Sequence, residues 1–344
     1  MDRVIDLRSD TITLPTNEMK QAMVRAELGD DGYHEDPTVR ELEALAAEMV
    51  GKEDAIFMPS GTMANVVAVK AHTHPGEEII VESRAHVFTS ELGAHATISG
   101  VQTRTLESLT GIPSPQDIAA AIREEDDLPR TGLICLENTH NRAGGVAFGP
   151  DVLASVADVA GRAKVPVHLD GARVFNAAIA LGLDVRLIAA YADSVMFCLS
   201  KGLCAPVGSM LAGRRDFVER ARLYRRMLGG TMRQAGVLAA AGLVGLKTMV
   251  SRLAEDHANA RLLAESLVDM GYGINLSTVQ TNIIRMSTDR FFESETAAVH
   301  AFERAGVLTG TQGRGHIRFV THKDVGRTDI HEAVKRIRDV TPIR

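Results

Sequence analysis

From about residue 55 onward, the chain alternates short apolar runs with longer segments in which apolar and polar residues recur at helical spacing. This alternation is typical of βαβ units whose strands form a mainly parallel sheet. The apolar runs predict seven strands, at 55–58, 79–82, 101–106, 132–138, 165–170, 194–200 and 208–213. The segments between them predict helices near 61–73, 88–97, 115–125, 151–163, 173–181 and 184–190. An α/β fold with a mainly parallel seven-stranded sheet follows.

The pattern changes after Arg214, where two long helices are predicted with no strand between them, at about 214–228 and 231–270. Beyond them, the pattern predicts strands at 281–287 and 316–322 and helices near 294–305 and 326–340. Before residue 51, an irregular arm precedes a helix from about 38 to 50. The expected parts are an N-terminal arm and helix, a large cofactor-binding α/β domain and a small α+β domain, at 1–50, 51–250 and 251–344.

Composition and charge narrow the class of protein. With 344 residues that are 45% hydrophobic, the chain can form one large core and a smaller one. The net charge of -6 comes without a long block of one sign, so the basic surface of a nucleic-acid-binding protein is missing. The first residues are charged where a signal peptide is apolar, and the apolar helices are too interrupted to span a bilayer. A cytoplasmic enzyme without a membrane or nucleic-acid partner is expected.

Several common motifs are missing. The three cysteines, Cys135, Cys198 and Cys204, form no CxxC pair and suggest reduced thiols rather than a disulfide framework or a metal site. The glycines of 310-GTQGRG-315 lack the GxGxxG spacing and precede a strand instead of following one. The sequence also lacks GxSxG, HExxH and the P-loop. A nicotinamide-dependent enzyme is therefore disfavoured, and no metal ligands are predicted.

Lys201 follows a nearly continuous apolar strand and is expected at the edge of the sheet. One interpretation is a lysine whose stem packs while its ammonium group reaches water. The other is a Schiff-base lysine, whose pKa falls on desolvation so that the amine can attack a carbonyl. Asp170, which ends the preceding strand, decides between them. Pyridoxal phosphate requires a lysine for its aldehyde and an aspartate for its pyridine nitrogen, so the pair favours this cofactor.

Ser60, Gly61 and Thr62 are expected at the start of a helix that follows the first strand. Such residues form ordinary helix caps, but backbone N–H groups at a helix start also bind phosphate. Since ligands of open α/β sheets bind at the carboxyl ends of strands, the position favours a phosphate cup.

Other candidates are histidines and arginines. His86 and His140 are either structural residues or groups that stack on a planar cofactor and act as a base. Arg173, Arg233 and Arg318 are either surface ion-pair partners or clamps for a carboxylate or phosphate.

Eight ordered blocks, which extend almost from end to end, resemble the L-threonine aldolases of low specificity, fold-type I pyridoxal phosphate enzymes of the β-eliminating lyase superfamily. The blocks are 5-IDLRSDTIT-13, 30-DDGYHEDPT-38, 59-PSGTMAN-65, 137-ENTHN-141, 168-HLDGAR-173, 197-FCLSKGLCAPVGS-209, 228-LGGTMRQAG-236 and 317-IRFVTHKDV-325. The resemblance implies an aspartate-aminotransferase-like fold and aldol cleavage of L-threonine, L-allo-threonine and related L-β-hydroxy-α-amino acids to glycine and an aldehyde.

The resemblance also implies residue roles. Lys201 would hold the cofactor covalently, Asp170 would pair with its pyridine nitrogen, Gly61 and Thr62 would hold its phosphate, and His86 would stack on its ring. Arg173 and Arg318, with Ser9, would bind the substrate carboxylate. Tyr33 and Arg233 would come from a neighbouring subunit of a homotetramer, a dimer of dimers with shared active sites. The base for the β-hydroxyl would be His86 or His140, between which the sequence does not choose.

Two departures from the family pattern touch the predicted site. Thr231 replaces a frequent glycine and is expected to stiffen the turn that carries Arg233. Thr89 and Ser90 replace bulkier or aromatic residues, which leaves room for larger aldehydes if they line the pocket for the β-substituent. Another fold-type I lyase or racemase remains an alternative, because Lys201 and Asp170 serve many reactions. A non-enzymatic protein with this fold would be expected to have lost them.

Overall fold

The computed structural model describes residues 3–123 and 127–341. The strands are β1 (Ile5–Asp6), β2 (Asp54–Met58), β3 (Glu78–Glu82), β4 (Gln102–Leu106), β5 (Thr131–Glu137), β6 (Val167–Asp170), β7 (Ser194–Cys198), β8 (Ser209–Gly213), β9 (Ile283–Ser287), β10 (Val307–Leu308), β11 (Gly310–Thr311) and β12 (His316–Val320). The α-helices are α1 (Asn17–Arg25), α2 (Pro37–Val50), α3 (Gly61–His72), α4 (His86–Thr89), α5 (Ala94–Ser99), α6 (Pro115–Ala121), α7 (Pro150–Ala163), α8 (Val174–Leu181), α9 (Val185–Ala189), α10 (Arg215–Met227), α11 (Gly236–Val244), α12 (Leu253–Asp269), α13 (Glu295–Arg304) and α14 (Arg327–Val340).

The central sheet has seven strands in the order β2-β8-β7-β6-β5-β3-β4. β8 runs antiparallel to both of its neighbours, while the pairs from β7 to β4 are all parallel. Every residue of β5 and of β7 is buried, as expected for strands that are covered by helices on both faces. The prediction of a mainly parallel seven-stranded sheet is confirmed, and each of the seven predicted strands is present.

A smaller antiparallel sheet, in the order β11-β12-β9, lies in the C-terminal part of the chain. Helices α12, α13 and α14 pack with it around an apolar cluster that includes Phe302, Ile317 and Phe319. The N-terminal arm joins this part, because β1 pairs in parallel with β10 and places Ile5 beside Val307. The predicted α+β character of this part is confirmed, whereas the domain boundaries near residues 50 and 250 stay predictions.

The prediction of a single long helix at 231–270 was wrong. The chain forms α11, a π-helical turn (Gly245–Met249) and α12, with an angle of 67° between the two halves of this bent pair. Gly245 allows the close approach at the turn, since a Cβ there would lie 2.7 Å from the carbonyl oxygen of Leu203. In the described ranges no single helix is long and apolar enough to cross a membrane, although this bent pair meets the criteria of length and composition when its halves are combined.

Three other predicted elements also differ from the structure. The arm that was predicted to be irregular contains α1, whose start is capped by Thr16 accepting the N–H of Met19. The helix predicted at 88–97 is divided into α4 and α5, because Leu92 and Gly93 adopt positive φ angles of 53° and 71°. The predicted helix at 115–125 is observed as far as Ala121, and its last two residues lie outside the described ranges.

Candidate active site

A cavity of about 460 Å³ opens beside the carboxyl ends of the central strands. This is the edge at which ligands bind in open α/β sheets. Eight of the residues predicted for the site line this cavity: Ser9, Gly61, Thr62, His86, Asp170, Arg173, Lys201 and Arg318. The other three, Tyr33, His140 and Arg233, are not part of its lining. The sequence therefore brings most of the predicted side chains together, although they come from opposite ends of the chain.

Asp170 and Lys201 lie at the ends of adjacent parallel strands. Asp170 is the last residue of β6, and Lys201 follows the end of β7 by three residues. Burial by itself raises the pKa of Asp170, but the nearby charges of His86 and Lys201 and a hydrogen bond from Asn65 outweigh it and lower the pKa. A buried carboxylate that stays ionised thus faces the cavity next to the amine.

The start of α3 forms another wall of the cavity. Ser60 caps the helix by accepting the N–H of Met63, and Gly61 and Thr62 follow at the first helical positions. A Cβ on Gly61 would lie 2.9 Å from Sγ of Cys198, so glycine permits the helix start to approach β7 closely. Because N–H groups at a helix start have no partner within the helix, this wall suits an anionic group.

His86 projects from the start of α4, one turn after β3. Its Nδ1 lies 2.8 Å from Oε1 of Glu91, and its backbone N–H donates to Glu137. Burial lowers the pKa of His86. The hydrogen bond with Glu91 and the negative charges of Asp170, Glu91 and Glu137 have the opposite effect and outweigh burial, so the pKa is raised overall. The ligand atoms of His86, Glu91 and Asp170 all lie within 4.8 Å of one another. The imidazole of His86 therefore lies close to two buried carboxylates, those of Glu91 and Asp170.

Arg173 lines the cavity, but its guanidinium is already engaged. Nε donates to Oδ2 of Asp10 at 2.7 Å and Nη2 donates to Oδ1 at 2.6 Å, and both side chains are buried. Burial raises the pKa of Asp10, but Arg173, Lys201 and a hydrogen bond from Asn282 lower it well below its usual range. The N-terminal arm thus supplies a carboxylate for two nitrogens of Arg173, and the predicted role of Arg173 in binding a substrate carboxylate stays a prediction.

Arg318 reaches the cavity from β12 of the smaller sheet. Nη1 donates to Oδ1 of Asn141 at 2.7 Å, and Nη2 donates to the carbonyl oxygen of Arg8 at 3.2 Å. Its Nε is buried without a hydrogen-bond partner among the residues that the structure describes. Burial and the positive charge of Arg173 lower the pKa of Arg318 to about 10. In the described part of the chain, both hydrogen bonds of this cation go to neutral oxygens, so it is suited to receive an anion.

His140 is fully buried and lies outside the lining of the cavity. Its Nε2 lies 3.0 Å from Oε2 of Glu82, and its Nδ1 accepts the N–H of Ala143 at 3.1 Å. With both ring nitrogens occupied, His140 is not placed to take a proton from a substrate. Its prediction as a possible catalytic base does not fit this geometry.

Tyr33 and Arg233 lie on the surface, in a separate concavity that also includes Thr231. Tyr33 is 74% exposed, and Arg233 has a distant ionic contact with Asp30 at 3.6 Å. Within one chain they take no part in the cavity.

Thr89 and Ser90 are also absent from the lining of the cavity. The Thr89 hydroxyl, at the end of α4, donates to the carbonyl oxygen of Ala85, the residue before this short helix, at 3.0 Å. The structure of a single chain therefore does not support the prediction that these residues enlarge a substrate pocket.

The sequence reasoning missed several residues of the site, above all Asp10, Asn65, Glu91 and Glu137. Asn65 and Glu91 are buried beside Asp170 and His86, and Glu137 accepts the backbone N–H groups of His86 and Asn141. The one available signal was position, since Asn65 lies one helical turn after the Gly61 motif.

The donor set fits pyridoxal phosphate. An amine, a buried ionised carboxylate, the free N–H groups of a helix start and an imidazole surround one cavity, and each matches a different part of that molecule. Arg318 leaves a further cationic position for a substrate carboxylate.

Comparisons with known proteins agree with this geometry. The family model of the β-eliminating lyases matches residues 6–289. Low-specificity L-threonine aldolase 1 of Arabidopsis thaliana is 43% identical over 336 residues, covering 96% of this chain and 94% of the relative. The low specificity L-threonine aldolase of Escherichia coli (strain K12) is 42% identical, covering 96% of this chain and 97% of the relative.

Solved structures show the same fold. The threonine aldolase of Leishmania major superposes with a TM-score of 0.86 at 19% identity, covering 98% of this chain and 99% of the other. Thermus thermophilus aspartate aminotransferase gives a TM-score of 0.75 at 17% identity, covering 98% and 92%. The protein thus has the aspartate-aminotransferase-like architecture of fold type I. The chain belongs to the β-eliminating lyases, a family of pyridoxal phosphate enzymes.

Proposed function

We propose that the protein is a carbon-carbon lyase that uses pyridoxal 5'-phosphate for the reversible cleavage of L-threonine, L-allo-threonine and related L-β-hydroxy-α-amino acids to glycine and an aldehyde. The observation that carries the proposal is that buried Asp170 and Lys201, at or just after the ends of adjacent strands, line one cavity together with Arg318. The full-length similarity to low-specificity L-threonine aldolases supports the choice of reaction.

The residues that would hold the cofactor are Lys201 at its aldehyde, Asp170 at its pyridine nitrogen, Gly61 and Thr62 at its phosphate, and His86 against its ring. When bound, pyridoxal phosphate supplies an electron sink that weakens the bonds at the α-carbon of an attached amino acid. The low pKa of Asp170 suits this role, since only an ionised carboxylate holds a proton on the pyridine nitrogen.

The substrate carboxylate would bind Arg318 with help from Ser9. Among the described residues, Arg318 donates to neutral oxygens, and the Ser9 hydroxyl accepts from Thr11 without itself donating to a protein acceptor. Arg173 would contribute its Nη1 and orient the arm through Asp10. A clamp at one end of the substrate selects which bond at the α-carbon breaks, because it fixes the orientation of that carbon.

His86 is the base that we propose for the β-hydroxyl proton. Its Nδ1 is held by Glu91, which directs the other ring nitrogen, Nε2, away from the carboxylate and leaves it to accept a proton. The raised pKa of His86 places its titration closer to neutral pH than burial alone would. His140 would act only by orienting Glu82 and the turn that carries Asn141.

We further propose that the active enzyme is a homotetramer in which Tyr33 and Arg233 complete the site of a neighbouring subunit. Their exposure and their separation from the cavity of their own chain support this arrangement. The cytoplasmic location that the sequence predicts stays a prediction.

The test of the function is the visible absorption spectrum of the purified protein with pyridoxal phosphate, before and after glycine is added. The wild type should show a band that shifts to longer wavelength with glycine, and Lys201→Ala should lack it. With L-threonine the products should be acetaldehyde and glycine. 2-Oxobutanoate and ammonia, or D-allo-threonine, would instead indicate another lyase or a racemase of the same fold, and a colourless protein would refute the cofactor.

A further inference from the structure

Asn65 connects the two buried carboxylates of the site. Its side-chain amide nitrogen donates to Oδ2 of Asp170 at 2.8 Å and to Oε1 of Glu91 at 2.7 Å, and only 1% of the residue is exposed. Both N–H bonds of the amide are therefore used, one for each carboxylate. Glu91 in turn holds Nδ1 of His86. The amide thus stands between the carboxylate for the pyridine nitrogen and the pair formed by Glu91 and His86.

A chain of polar side chains, buried except for the half-buried His72, continues behind Asn65. Its Oδ1 lies 3.1 Å from Nε2 of His168, and Nδ1 of His168 lies 2.8 Å from the hydroxyl oxygen of Ser194. That hydroxyl also lies 2.8 Å from Nε2 of His72. We call these four residues, His72, Ser194, His168 and Asn65, the buried chain. It ends where His72 stacks on Phe217, with 4.4 Å between the ring centroids.

The carboxylates fix the direction of every hydrogen bond in the buried chain. Because ionised carboxylates only accept, Asn65 presents its N–H₂ group to them and its oxygen to His168. His168 must then carry its proton on Nε2 and accept the Ser194 proton at Nδ1. Ser194 in turn accepts from Nε2 of His72. All four residues therefore donate toward the two carboxylates.

Burial keeps both histidines of the buried chain neutral. It lowers the pKa of His168 to about 4 and that of His72 to about 3. A neutral imidazole has one donor and one acceptor nitrogen, which is what the buried chain requires at each position. The histidines thus transmit orientation without adding charge.

The fold explains why these side chains meet. His168 and Asp170 are two residues apart on β6 and share one face of the sheet, and Ser194 lies directly across from His168 on β7. Asn65 and His72 are seven residues apart on α3, which places them two turns apart on one face of the helix. A single helix packed on two strands therefore determines the geometry.

We propose that Asn65 is a positioning residue whose orientation is imposed by His168, Ser194 and His72, and that it keeps Asp170 and Glu91 ionised while Glu91 holds His86 with Nε2 toward the substrate. This inference rests on the proposed function, because it assigns Asp170 and His86 to cofactor and substrate. Two donors shared between two carboxylates stabilise both negative charges, since hydrogen bonds to a charged form favour that form.

Few other groups near Asp170 and Glu91 can stabilise their negative charges. The titratable groups that face the two carboxylates are His86, Lys201, His168, Glu137 and Cys135, from the ends or interiors of the neighbouring strands. Since burial keeps His168 neutral, His86 and Lys201 are the possible cations of this set, and both are committed to the reaction in the proposed function. Without Asn65, burial and mutual repulsion would favour protonation of one carboxylate.

The first test follows the holoenzyme by two readouts, the pH dependence of the visible cofactor absorption and that of kcat/KM. In Asn65→Ala, which removes both donors, the apparent pKa on the acidic side should rise by about one unit, and kcat/KM at neutral pH should fall about tenfold or more. If only the thermal stability falls and both pH profiles stay in place, the amide is merely structural and the proposal is overturned.

The second test separates the orientation of Asn65 from its presence. His168→Leu should reproduce the pH shift of Asn65→Ala, because the amide loses the donor that fixes its direction. His168→Gln should restore much of the wild-type profile, since its amide N–H can still donate to Asn65. His95→Gln is the matched control, because His95 is also buried but lies outside the buried chain. A His168→Gln profile as shifted as that of His168→Leu would contradict the proposal.

A third measurement stands apart from the reaction. In protein with ¹⁵N-labelled histidine, the nuclear magnetic resonance signals of His168 should show a neutral ring with the proton on Nε2 from pH 6 to pH 8. Should aldolase activity be absent while this signal is found, the proposed function fails but the buried chain stands. A proton on Nδ1, or titration near pH 6.5, would overturn the chain itself.

Discussion

The two ends of the cavity differ in how their polar groups are satisfied. Around Asp170, each carboxylate oxygen accepts a hydrogen bond, from Asn65 and from the backbone of Ala172. At the other end, Arg318 has a buried Nε without a partner in the described ranges and a pKa lowered to about 10. Since a buried donor without a partner is costly, this half-buried cation favours the binding of an anion at the second end. The end around Asp170, the cofactor end, is therefore preorganised. The end around Arg318, the substrate end, still has a donor without a partner among the described residues.

Of the substitutions that test the difference between the two ends, Arg318→Leu is expected to have the largest effect on activity. Losing a charge-assisted clamp should lower kcat/KM for L-threonine by about 100-fold, mainly through a higher KM. The matched control is Arg285→Leu, since Arg285 lies directly across from Arg318 on β9 but does not line the cavity. Steady-state kinetics decides, and equal losses in the two variants would show that Arg318 has no special role.

Asp10→Asn tests the buried ion pair between Asp10 and Arg173. Removing the carboxylate leaves Arg173 as a buried cation without a counter-charge, so the free energy of unfolding should fall by about 3 kcal/mol. Denaturant unfolding of the cofactor-free protein measures it. Asp216→Asn, at an exposed ion pair with Arg214, should change the free energy of unfolding far less, because solvent screens exposed charges. Equal values for the two variants would contradict the difference in burial.

The same ion pair predicts a dependence of stability on pH. Because the pKa of Asp10 is lower in the folded state than in the unfolded state, its contribution to stability is fully present above the unfolded pKa, about 4. It is lost as the pH falls below that value toward the folded pKa. Asp10→Asn should therefore flatten the acid side of the stability curve, measured as the midpoint of denaturant unfolding between pH 6 and pH 3.

Glu91→Gln changes the cofactor end, and its effect on activity is expected to be smaller than that of Arg318→Leu. Burial lowers the pKa of His86, and the hydrogen bond and charge of Glu91 act against it. Removing that charge should lower the pKa of His86, so the acidic limb of the profile of kcat against pH should move to lower pH. The value of kcat at its maximum should fall about tenfold, because a weaker base takes the β-hydroxyl proton less readily. A limb that moves to higher pH would exclude His86 as the titrating base.

The sequence predicts the strands of the sheet and the residues at their ends better than it predicts the residues that hold those side chains in place. The strands of the central sheet are recognisable because burial on both faces demands continuous apolar runs, and the polar residues at their ends then point to the site. Asn65 and Asp10 were missed because their partners, Asp170 and Arg173, are 105 and 163 residues away in the chain. An asparagine in a helix or an aspartate in an arm has no pattern that reveals such a partner.

The break of the predicted helix at 231–270 has a similar cause. Apolar residues at helical spacing continue through Gly245, so the local pattern favours a single helix. What ends it is the contact of this glycine with Leu203, in the loop that follows Lys201. Packing between segments, rather than local preference, determines where the chain bends.

The smallest effect is expected from Gly61→Ala at the start of α3. A Cβ there would meet Sγ of Cys198 at 2.9 Å and Cε of Met196 at 3.1 Å, and the flexible methionine can move aside at a modest cost. Alanine also favours helix over glycine by about 1 kcal/mol, which offsets part of the strain in the folded protein. Affinity for pyridoxal phosphate should therefore fall by about tenfold while the fold persists. Gly161→Ala in α7, where a Cβ meets nothing within 4 Å, should leave that affinity unchanged. Titration of the cofactor absorbance measures both, and an unchanged affinity in Gly61→Ala would mean that the helix start does not need this close approach.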